Sequence, residues 1–535
     1  MSKSQPYTVA CAGGLVTASN AIDLLKSPGV ATELRNFEVS TKGGYRRING
    51  FTKFGGNSAV QPTGSSTTIL GAIPYADGVV VCAGTSIYFS QTGTSWLEIN
   101  RASVASSGDN HTAFTGRSVL TRTNQAQCQF ALFESATSNY GTLIISDGVN
   151  KPYAFRMEGT GSLTSRTFFG EEITVTGTKG VEYITVHDKH LIAAGVEDNL
   201  NTVFFSGTLD PTDFTSTGSG SITIEDQIKG IKSFRNELFI FCENSIFKLQ
   251  NINNSSTIAV IPVTKNVGCL SGHSIQEIAG DLIFLAPDGL RTVAGTARIG
   301  DVELGTVSSN IQNIVSDLAE SVNIFTINSV VLREKSQYRL FYTNIGADDS
   351  TQRGIIGTLR PNGFEWSETR GLEVTAIGSG FDSSGIEQYY HGDTNGNVYL
   401  HDSGADFNGT NILARYTTPN YDYGDLGTLK TLHYLRVSMA TEGIVEPDVQ
   451  IKFDFNSSDV PQPTDLFDLG IINPPSLFGE AVFNTNKFAG QNNPMIRVPL
   501  QGSGTSNNFT VISNDTKPSY TVNGLYVDFI PSGRR

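Results

Sequence analysis

The sequence predicts an all-β protein, an antiparallel β-propeller of six or seven blades followed by a C-terminal β-sandwich. The first observation is composition: 56 Gly, 18 Tyr and 31 Phe accompany many Thr, Val and Ile, which is typical of strands joined by tight turns. The second is a strand–turn–strand unit that recurs about every 45 to 60 residues, near the period of propeller blades. The third is a change of pattern after Tyr416.

The clearest copy of the unit is Gln227–Leu249. A polar turn at Arg235–Glu237 precedes an almost unbroken apolar strand, Leu238–Cys242. A strand that is apolar on both faces must be covered on both sides. Its partner, Ile246–Leu249, follows after only three turn residues and must therefore be antiparallel. This arrangement predicts the inner hairpin of a propeller blade.

Looser copies of this hairpin occur on both sides of it. Several are marked by Asp-Gly or Asn-Gly, the strongest short-range hairpin signals. Because the N-terminal strands could complete one blade, the predicted count stays at six or seven. The predicted first strands of the copies are Thr68–Tyr75, Phe130–Phe133, Tyr183–His187, the strand that opens at Ile228, Ser274–Ile278, Ile327–Glu334 and Val374–Gly378.

The sequence divides into three predicted parts. Residues 1–50 form an N-terminal arm whose strands join a sheet, residues 51–416 form the propeller, and residues 417–535 form the sandwich. The sandwich contains a predicted long loop, Asn456–Gln491, which is rich in Pro, Asn and Asp. A loop of this length has no packing reason to exist in a compact domain, so it is either a docking site for a partner or a tolerated insertion.

One segment, residues 308–321, breaks the β pattern. Ile311, Ile314, Val315 and Leu318 lie at the i, i+3, i+4, i+7 spacing of one helix face. The sequence therefore predicts a short amphipathic helix, with Ser308 or Ser309 as its N-cap.

Charge and cysteine content limit the possible partners and the compartment. The net charge is −14 and basic residues form no tract longer than a pair, which makes the chain a poor candidate for gripping nucleic acid phosphates. The five cysteines lack CxxC spacing and predict buried free thiols, as expected in a reducing cytosol. There is no signal-peptide pattern and no apolar run of about 18 residues, so we expect no membrane insertion.

Three motifs suggest chemistry, but each has a simpler explanation as a turn. His187 and His190 flank the turn Asp188-Lys189, without further zinc ligands at suitable spacing. Asp393–Asn397 resembles the start of a calcium loop but lacks its later glycine and glutamate. Gly93–Trp96 matches the tail of a sialidase Asp-box, with Gln91 at the acidic position.

These observations assign no catalytic, cofactor-binding or metal-binding residue, and we expect no cofactor. No GxSxG elbow, P-loop or dinucleotide fingerprint is present. Carboxylates are plentiful, and nothing in their spacing selects or excludes a glycosidase pair. The sequence-based expectation is that the chain is not an enzyme.

Several phrases of the sequence resemble the tail hub or nozzle proteins of short-tailed bacteriophages. They occur in the same order as in that family: Leu34-Arg-Asn-Phe37, Gly44-Tyr-Arg-Arg-Ile-Asn-Gly-Phe51, Ile228–Cys242, Asn266–Gly272, Leu282–Val293, Ile311–Leu318 and the ending Val522–Arg535 with its Gly-Arg-Arg finish.

This resemblance implies a structural protein of the virion tail, made in the host cytoplasm. It would form a ring, expected to be a hexamer, that extends the DNA conduit below portal and adaptor and helps retain and eject the genome. Its partners would be other copies of itself, the tail adaptor and tail fibres or spikes, with DNA passing without sequence-specific binding. The alternatives are a receptor- or glycan-binding tail fibre or spike component and a propeller glycosidase.

Overall fold

The computed structural model describes most of the 535-residue chain, and strands account for most of its regular structure. The predicted fold class, an all-β propeller with a C-terminal β-sandwich, is confirmed. The described residues are 4–99, 126–134, 140–177, 179–254, 256–294, 306–322, 325–344, 352–382, 384–459, 462–470, 472 and 495–534.

The N-terminal region contributes five short strands and one helical turn. The helical turn is a 3₁₀ helix at Asp23–Lys26. The strands are β1 (Gln5–Ala10), β2 (Glu33–Arg35), β3 (Phe37–Val39), β4 (Tyr45–Arg47) and β5 (Phe51–Lys53).

The propeller begins with four sheets of four antiparallel strands each, in which every strand pairs with the next along the chain. The strands are β6 (Ile69–Tyr75), β7 (Gly78–Ala83), β8 (Ser86–Ser90), β9 (Leu97–Glu98), β10 (Gln129–Phe133), β11 (Thr142–Ser146), β12 (Tyr153–Glu158), β13 (Thr167–Glu172), β14 (Val181–His187), β15 (His190–Val196), β16 (Thr202–Phe205), β17 (Gly220–Thr223), β18 (Ile228–Phe234), β19 (Glu237–Cys242), β20 (Ile246–Gln250) and β21 (Ala259–Thr264).

Three more units complete the ring. They consist of β22 (Gln276–Ile278), β23 (Asp281–Ala286), β24 (Gly289–Thr292), β25 (Phe325–Leu332), β26 (Gln337–Asn344), β27 (Arg353–Arg360), β28 (Gly363–Arg370), β29 (Ala376–Phe381), β30 (Glu387–Gly392) and β31 (Val398–His401). Six of the seven units are separate sheets, whereas β25–β28 continues into a larger sheet. The last unit takes its fourth strand from the N-terminal region, because β5 pairs with β31.

After the ring, eight strands build the sandwich together with β1–β4. They are β32 (Ile412–Thr417), β33 (Thr428–Thr441), β34 (Asp448–Phe453), β35 (Phe467–Asp468), β36 (Met495–Pro499), β37 (Ser503–Gly504), β38 (Asn507–Asp515) and β39 (Tyr520–Arg534). One sheet has the order β2-β32-β38-β34-β35, and the other has the order β3-β4-β39-β33-β36, with β1 also paired to β39 and β37 to β33.

The structure describes only part of the predicted loop Asn456–Gln491. Within it, β35 pairs with β34, and Ile472 forms a bridge with Val445. This first part is therefore attached to the sandwich sheet. Residues 473–491, on which the docking prediction mostly depends, lie outside the described residues.

The predicted helix is confirmed as α1 (Gln312–Glu320), preceded by a 3₁₀ turn at Ser309–Ile311. Its apolar side chains Val315 and Leu318 are buried. The prediction of a serine N-cap is wrong, because neither Ser308 nor Ser309 makes a side-chain capping bond. The Ser308 hydroxyl instead accepts a hydrogen bond from the backbone N–H of Leu290 at 3.0 Å. It therefore attaches the helix entrance to the fifth propeller unit.

The propeller and the sandwich share one hydrophobic core. A continuous cluster of buried residues joins Phe529 in the sandwich, Val315 in α1 and Trp366 in β28. The nine-stranded sheet crosses the same boundary, because β2 pairs with β28 on one side and with β32 on the other. The two parts of the chain are therefore packed as one body.

Candidate functional site

A cavity lies on the axis of the propeller. Its volume is about 550 Å³, and the first strands of all seven units contribute to its wall. Pockets of a few hundred Å³ are the size that small-molecule sites have in other proteins. The seven first strands are Ile69–Tyr75, Gln129–Phe133, Val181–His187, Ile228–Phe234, Gln276–Ile278, Phe325–Leu332 and Ala376–Phe381.

The ring closes tightly where its first and last units meet. Gly378 on β29 lies so close to β6 that an added Cβ would stand 2.1 Å from the carbonyl oxygen of Ala72. A side chain at this position would separate the two strands. The glycine therefore fixes the width of the axial cavity on this side.

The cavity wall is mixed in polarity, and its described residues include one charged side chain, Lys232. Apolar groups such as Ile73 and Ile377 alternate with polar ones such as Thr185 and Gln276. Burial lowers the pKa of Lys232, Arg333 lowers it further, and Glu277 partly offsets both effects. No Asp or Glu occurs among the described residues that line the cavity.

A neutral histidine also lines the cavity. Burial lowers the pKa of His273 to about 4, so its imidazole is uncharged near pH 7. Its backbone carbonyl accepts a hydrogen bond of 2.6 Å from the Ser329 hydroxyl on β25. The Gln276 amide in turn donates to the carbonyl of Ser329 at 2.9 Å. These bonds hold the fifth and sixth units together at the axis.

A second polar cluster, which we call the junction network, lies where the propeller meets the sandwich. Glu38, on β3, accepts hydrogen bonds from Arg46 at 2.8 Å, from Lys335 at 3.0 Å and from Arg339 at 2.8 Å. Asp402, after β31, binds the same Lys335 at 2.7 Å and Arg339 at 3.1 Å. Burial alone would raise the pKa of Asp402, but Arg339 and Lys335 bring it well below its usual value.

Two buried histidines extend the junction network into the last propeller unit. Arg339 can only donate, so the His401 Nε2, 3.2 Å from its Nη1, must accept. His401 Nδ1 then carries the proton and donates to His391 Nδ1 at 3.3 Å. The remaining His391 Nε2–H is buried without a hydrogen-bond partner in the structure. Burial lowers the pKa of His391 to about 3, and burial together with His391 and Arg339 lowers that of His401.

His187 and His190 occupy opposite positions at the ends of β14 and β15. The His187 Nδ1 lies 2.9 Å from the Ser233 hydroxyl, while His190 uses Nδ1 toward the Ser206 carbonyl and Nε2 toward Asn253. Both are buried, and each is hydrogen-bonded to neutral groups. They pack adjacent units together at a hairpin turn.

The calcium-like segment Asp393–Asn397 is a hairpin turn in the structure. The two carboxylate oxygens of Asp393 accept hydrogen bonds from the Asn397 backbone N–H at 2.7 Å and from its side-chain amide at 2.9 Å. The Tyr399 hydroxyl donates to the same carboxylate at 3.0 Å. The carboxylate thus organises the turn between β30 and β31.

The sialidase-like segment Gly93–Trp96 forms the turn between β8 and β9. Ser90 organises it, because its hydroxyl accepts from the Gly93 N–H at 2.8 Å and donates to the Ser95 carbonyl at 2.5 Å. The Gln91 amide donates to Asp77 at 2.8 Å. The Trp96 indole donates to the Val60 carbonyl at 2.8 Å.

The described residues contain no group of three or more His, Cys, Asp or Glu side chains that could hold a metal ion. In the same part of the chain, no helix is both long enough and apolar enough to cross a membrane. The five cysteines are buried free thiols, as predicted.

Sequence reasoning missed both Lys232 and the junction network. Glu38, Arg339 and Asp402 come from three distant parts of the chain, so no local spacing connects them. For Lys232 a weak signal exists, since it is a charged residue between Ile231 and Ser233 on the first strand of the clearest hairpin.

Comparisons with known proteins give structural likeness only. No protein-family model and no curated protein matches the sequence. An exo-β-1,3-galactanase of Phanerochaete chrysosporium aligns over 90% of this chain and 100% of its own, at 10% identity and a TM-score of 0.25. PorZ is a surface component of the type IX secretion system of Porphyromonas gingivalis. It aligns over 80% of this chain and 59% of its own, at 10% identity and a TM-score of 0.37. BamB of Moraxella catarrhalis aligns over 62% of this chain and 93% of its own, at 10% identity and a TM-score of 0.30.

The comparison corrects the expectation that the chain is not an enzyme. That expectation follows from the lack of a recognisable catalytic motif. Yet the solved structures similar to this chain include exo-β-1,3-galactanases, one of them bound to galactose and one to β-1,3-galactotriose. The expectation that the chain is not an enzyme is therefore withdrawn. At 10% identity the likeness concerns the fold and assigns no catalytic residue.

Proposed function

We propose that the chain is a structural subunit of a ring in the tail of a short-tailed bacteriophage. In this role it would extend the DNA conduit below the portal and adaptor and help to retain and eject the genome. The proposal combines the ordered sequence phrases that resemble tail hub and nozzle proteins with the way in which the propeller is joined to the sandwich.

The observation that carries the proposal is the rigid junction between the two parts. They share a nine-stranded sheet, a continuous hydrophobic core and the junction network. Glu38 and Arg339, which form its central ion pair, are each 3% exposed. A hinge at this boundary would require the exposure of buried charges and of apolar area.

Rigidity matters because a ring is built from head-to-tail contacts between identical copies. Such heterologous interfaces close only if each copy repeats the same rotation. A subunit that bent between its two parts would vary that rotation and form open assemblies. A single rigid body is therefore well suited to a ring, for which we propose six copies.

The charge of the chain suits a conduit. The sequence has 51 acidic and 37 basic residues, which give the net charge of −14. A wall of this sign repels DNA phosphates, so the duplex passes without being bound. The proposed protein partners are further copies of the chain, the portal-bound adaptor, and fibres or spikes on the outer surface.

Native mass spectrometry of the purified chain, with and without a portal–adaptor complex, tests this proposal. We expect a closed ring of six copies bound to the adaptor. A chain that stays monomeric at micromolar concentration with the adaptor present, or that forms trimers, would contradict the ring. A Glu38→Gln variant should form rings less efficiently, whereas a Glu442→Gln variant should behave as the unchanged chain.

A further inference from the structure

We propose that the axial cavity of the propeller binds a small hydroxylated carboxylic acid, of which a six-carbon sugar acid is an example, with the Lys232 ammonium group on its carboxylate. This inference is independent of the proposed tail function. It depends on the position and surroundings of Lys232.

The first argument is charge balance. Lys232 lies on β18 in a cavity whose described lining contains no Asp or Glu. Glu277 on the neighbouring β22 influences it through space, but among the described residues no carboxylate is in ion-pair contact with it. Lys232 is half-buried, and partial burial of a charge without a counter-ion has a cost in free energy, which a bound anion would reduce. Its lowered pKa reflects the same cost.

The second argument is the supply of neutral hydrogen-bonding groups around the same cavity. The side chains of Gln129, Thr185 and Ser379 line it and make no side-chain hydrogen bond to the described residues. His273 adds a neutral imidazole on the unit next to that of Lys232. Amides, hydroxyls and imidazoles of this kind pair with the hydroxyl groups of a ligand.

The third argument concerns the ligand's charge and shape. One cation balances a monocarboxylate, whereas a phosphate carries up to two charges and would need a second cation that the described lining lacks. Apolar groups from Ile73, Ile184 and Ile377 can contact the ring carbons of a sugar. A volume of about 550 Å³ is within the range of small-molecule sites.

Isothermal titration of the full-length chain with D-glucuronate tests the proposal, with D-glucose as the neutral analogue and inorganic phosphate as the other anion. We expect glucuronate to bind at least tenfold more tightly than either. Absence of glucuronate binding at millimolar concentration, or equal binding of glucose, would overturn the proposal.

Two variants locate the site. Lys232→Met keeps an apolar chain of similar length and should weaken glucuronate binding by about 10- to 100-fold, the loss expected for one charge-assisted hydrogen bond. The matched control is Lys265→Met on the same propeller unit, where the lysine is exposed and pairs with Glu225, and its binding should not change. Equal affinity in Lys232→Met and the unchanged chain would refute the assignment.

A competition experiment tests the site without any substitution, in case Lys232→Met does not fold. Acetate has the carboxylate but no hydroxyl groups, and it should displace glucuronate from the unchanged chain. Methyl glucoside has the hydroxyl groups without the charge and should not. If methyl glucoside displaced glucuronate and acetate did not, recognition would depend on hydroxyl groups alone and the proposal would be wrong.

Discussion

Replacing Glu38 with Gln should weaken the contact between the propeller and the sandwich and so lower the free energy of unfolding. Glu38 is the shared acceptor of Arg46, Lys335 and Arg339. In the variant, these three cations have only the carboxylates of Asp402 and Glu442 as partners. The NH₂ group of the new glutamine amide can only donate, so it cannot pair with a cation. Removing one partner from a buried ion pair costs about 3 to 5 kcal/mol, and we expect a loss of this size in the free energy of unfolding.

Urea unfolding followed by tryptophan fluorescence can measure this loss at the junction. The chain has two tryptophans, and Trp366 is buried in the core that the propeller and sandwich share. A Trp96→Phe background leaves Trp366 as the only reporter. Both the Glu38→Gln variant and its control should be compared in this background.

The matched control is Glu442→Gln. Glu442 binds the same Arg46 at 2.6 Å, but its side chain is 50% exposed. Exposed ion pairs contribute about 0 to 1 kcal/mol, so this variant should lose no more than that. If Glu38→Gln cost no more than Glu442→Gln, the junction network would not hold the two parts together.

Three further perturbations follow from buried contacts elsewhere. Asp77→Asn should lower the free energy of unfolding by about 3 kcal/mol, because it leaves the buried Arg166 guanidinium without its carboxylate. A thermal midpoint equal to that of the unchanged chain would contradict this. Gly50→Ala should impair the pairing of β5 with β31, since the new Cβ would stand 1.6 Å from the Asp406 carbonyl oxygen. Amide hydrogen exchange in β5 should therefore be faster in this variant than in the unchanged chain. His391 has a folded pKa of about 3, so between pH 6.5 and 3 the unfolded chain binds one more proton and stability falls by about 1.4 kcal/mol per pH unit as pH decreases. His391→Phe should reduce the slope of stability against pH by nearly that amount in urea unfolding at pH 6, 5 and 4, and an unchanged slope would contradict the assignment.

The propeller could be predicted from the sequence because its signals are local. The first two strands of each unit form a hairpin that lies within about 20 residues, and alternation and turn residues specify such hairpins directly. The hairpin at Gln227–Leu249 is observed as β18–β20, with Arg235 and Asn236 in the left-handed conformation that its tight turn requires. The helix was predictable for the same reason, since four apolar residues at helical spacing need no distant partner.

The contacts that join the parts could not be predicted in this way. Asn36 at φ 53° separates β2 from β3, so that two adjacent strands enter different sheets of the sandwich. The partner of Glu38, Arg339, is 301 positions away. Ser308 looks like a cap from its position before the helix, yet its hydroxyl bonds to Leu290, which only the folded arrangement brings close.

The same limitation applies to the candidate site. The seven strands around the axial cavity are separated by up to about 300 residues, and each contributes one to four residues to the lining. Lys232 looks in the sequence like a surface residue of an alternating strand. Its isolation among neutral groups becomes apparent only when the ring closes.

Cryo-electron microscopy of mature particles, with this chain tagged, tests the central claim most directly. The account predicts that the label appears as a closed ring on the tail axis, below the portal and adaptor, with DNA or its channel passing through the centre of the ring. Labels found only at the tips of fibres, only inside the capsid, or absent from the particle would contradict it.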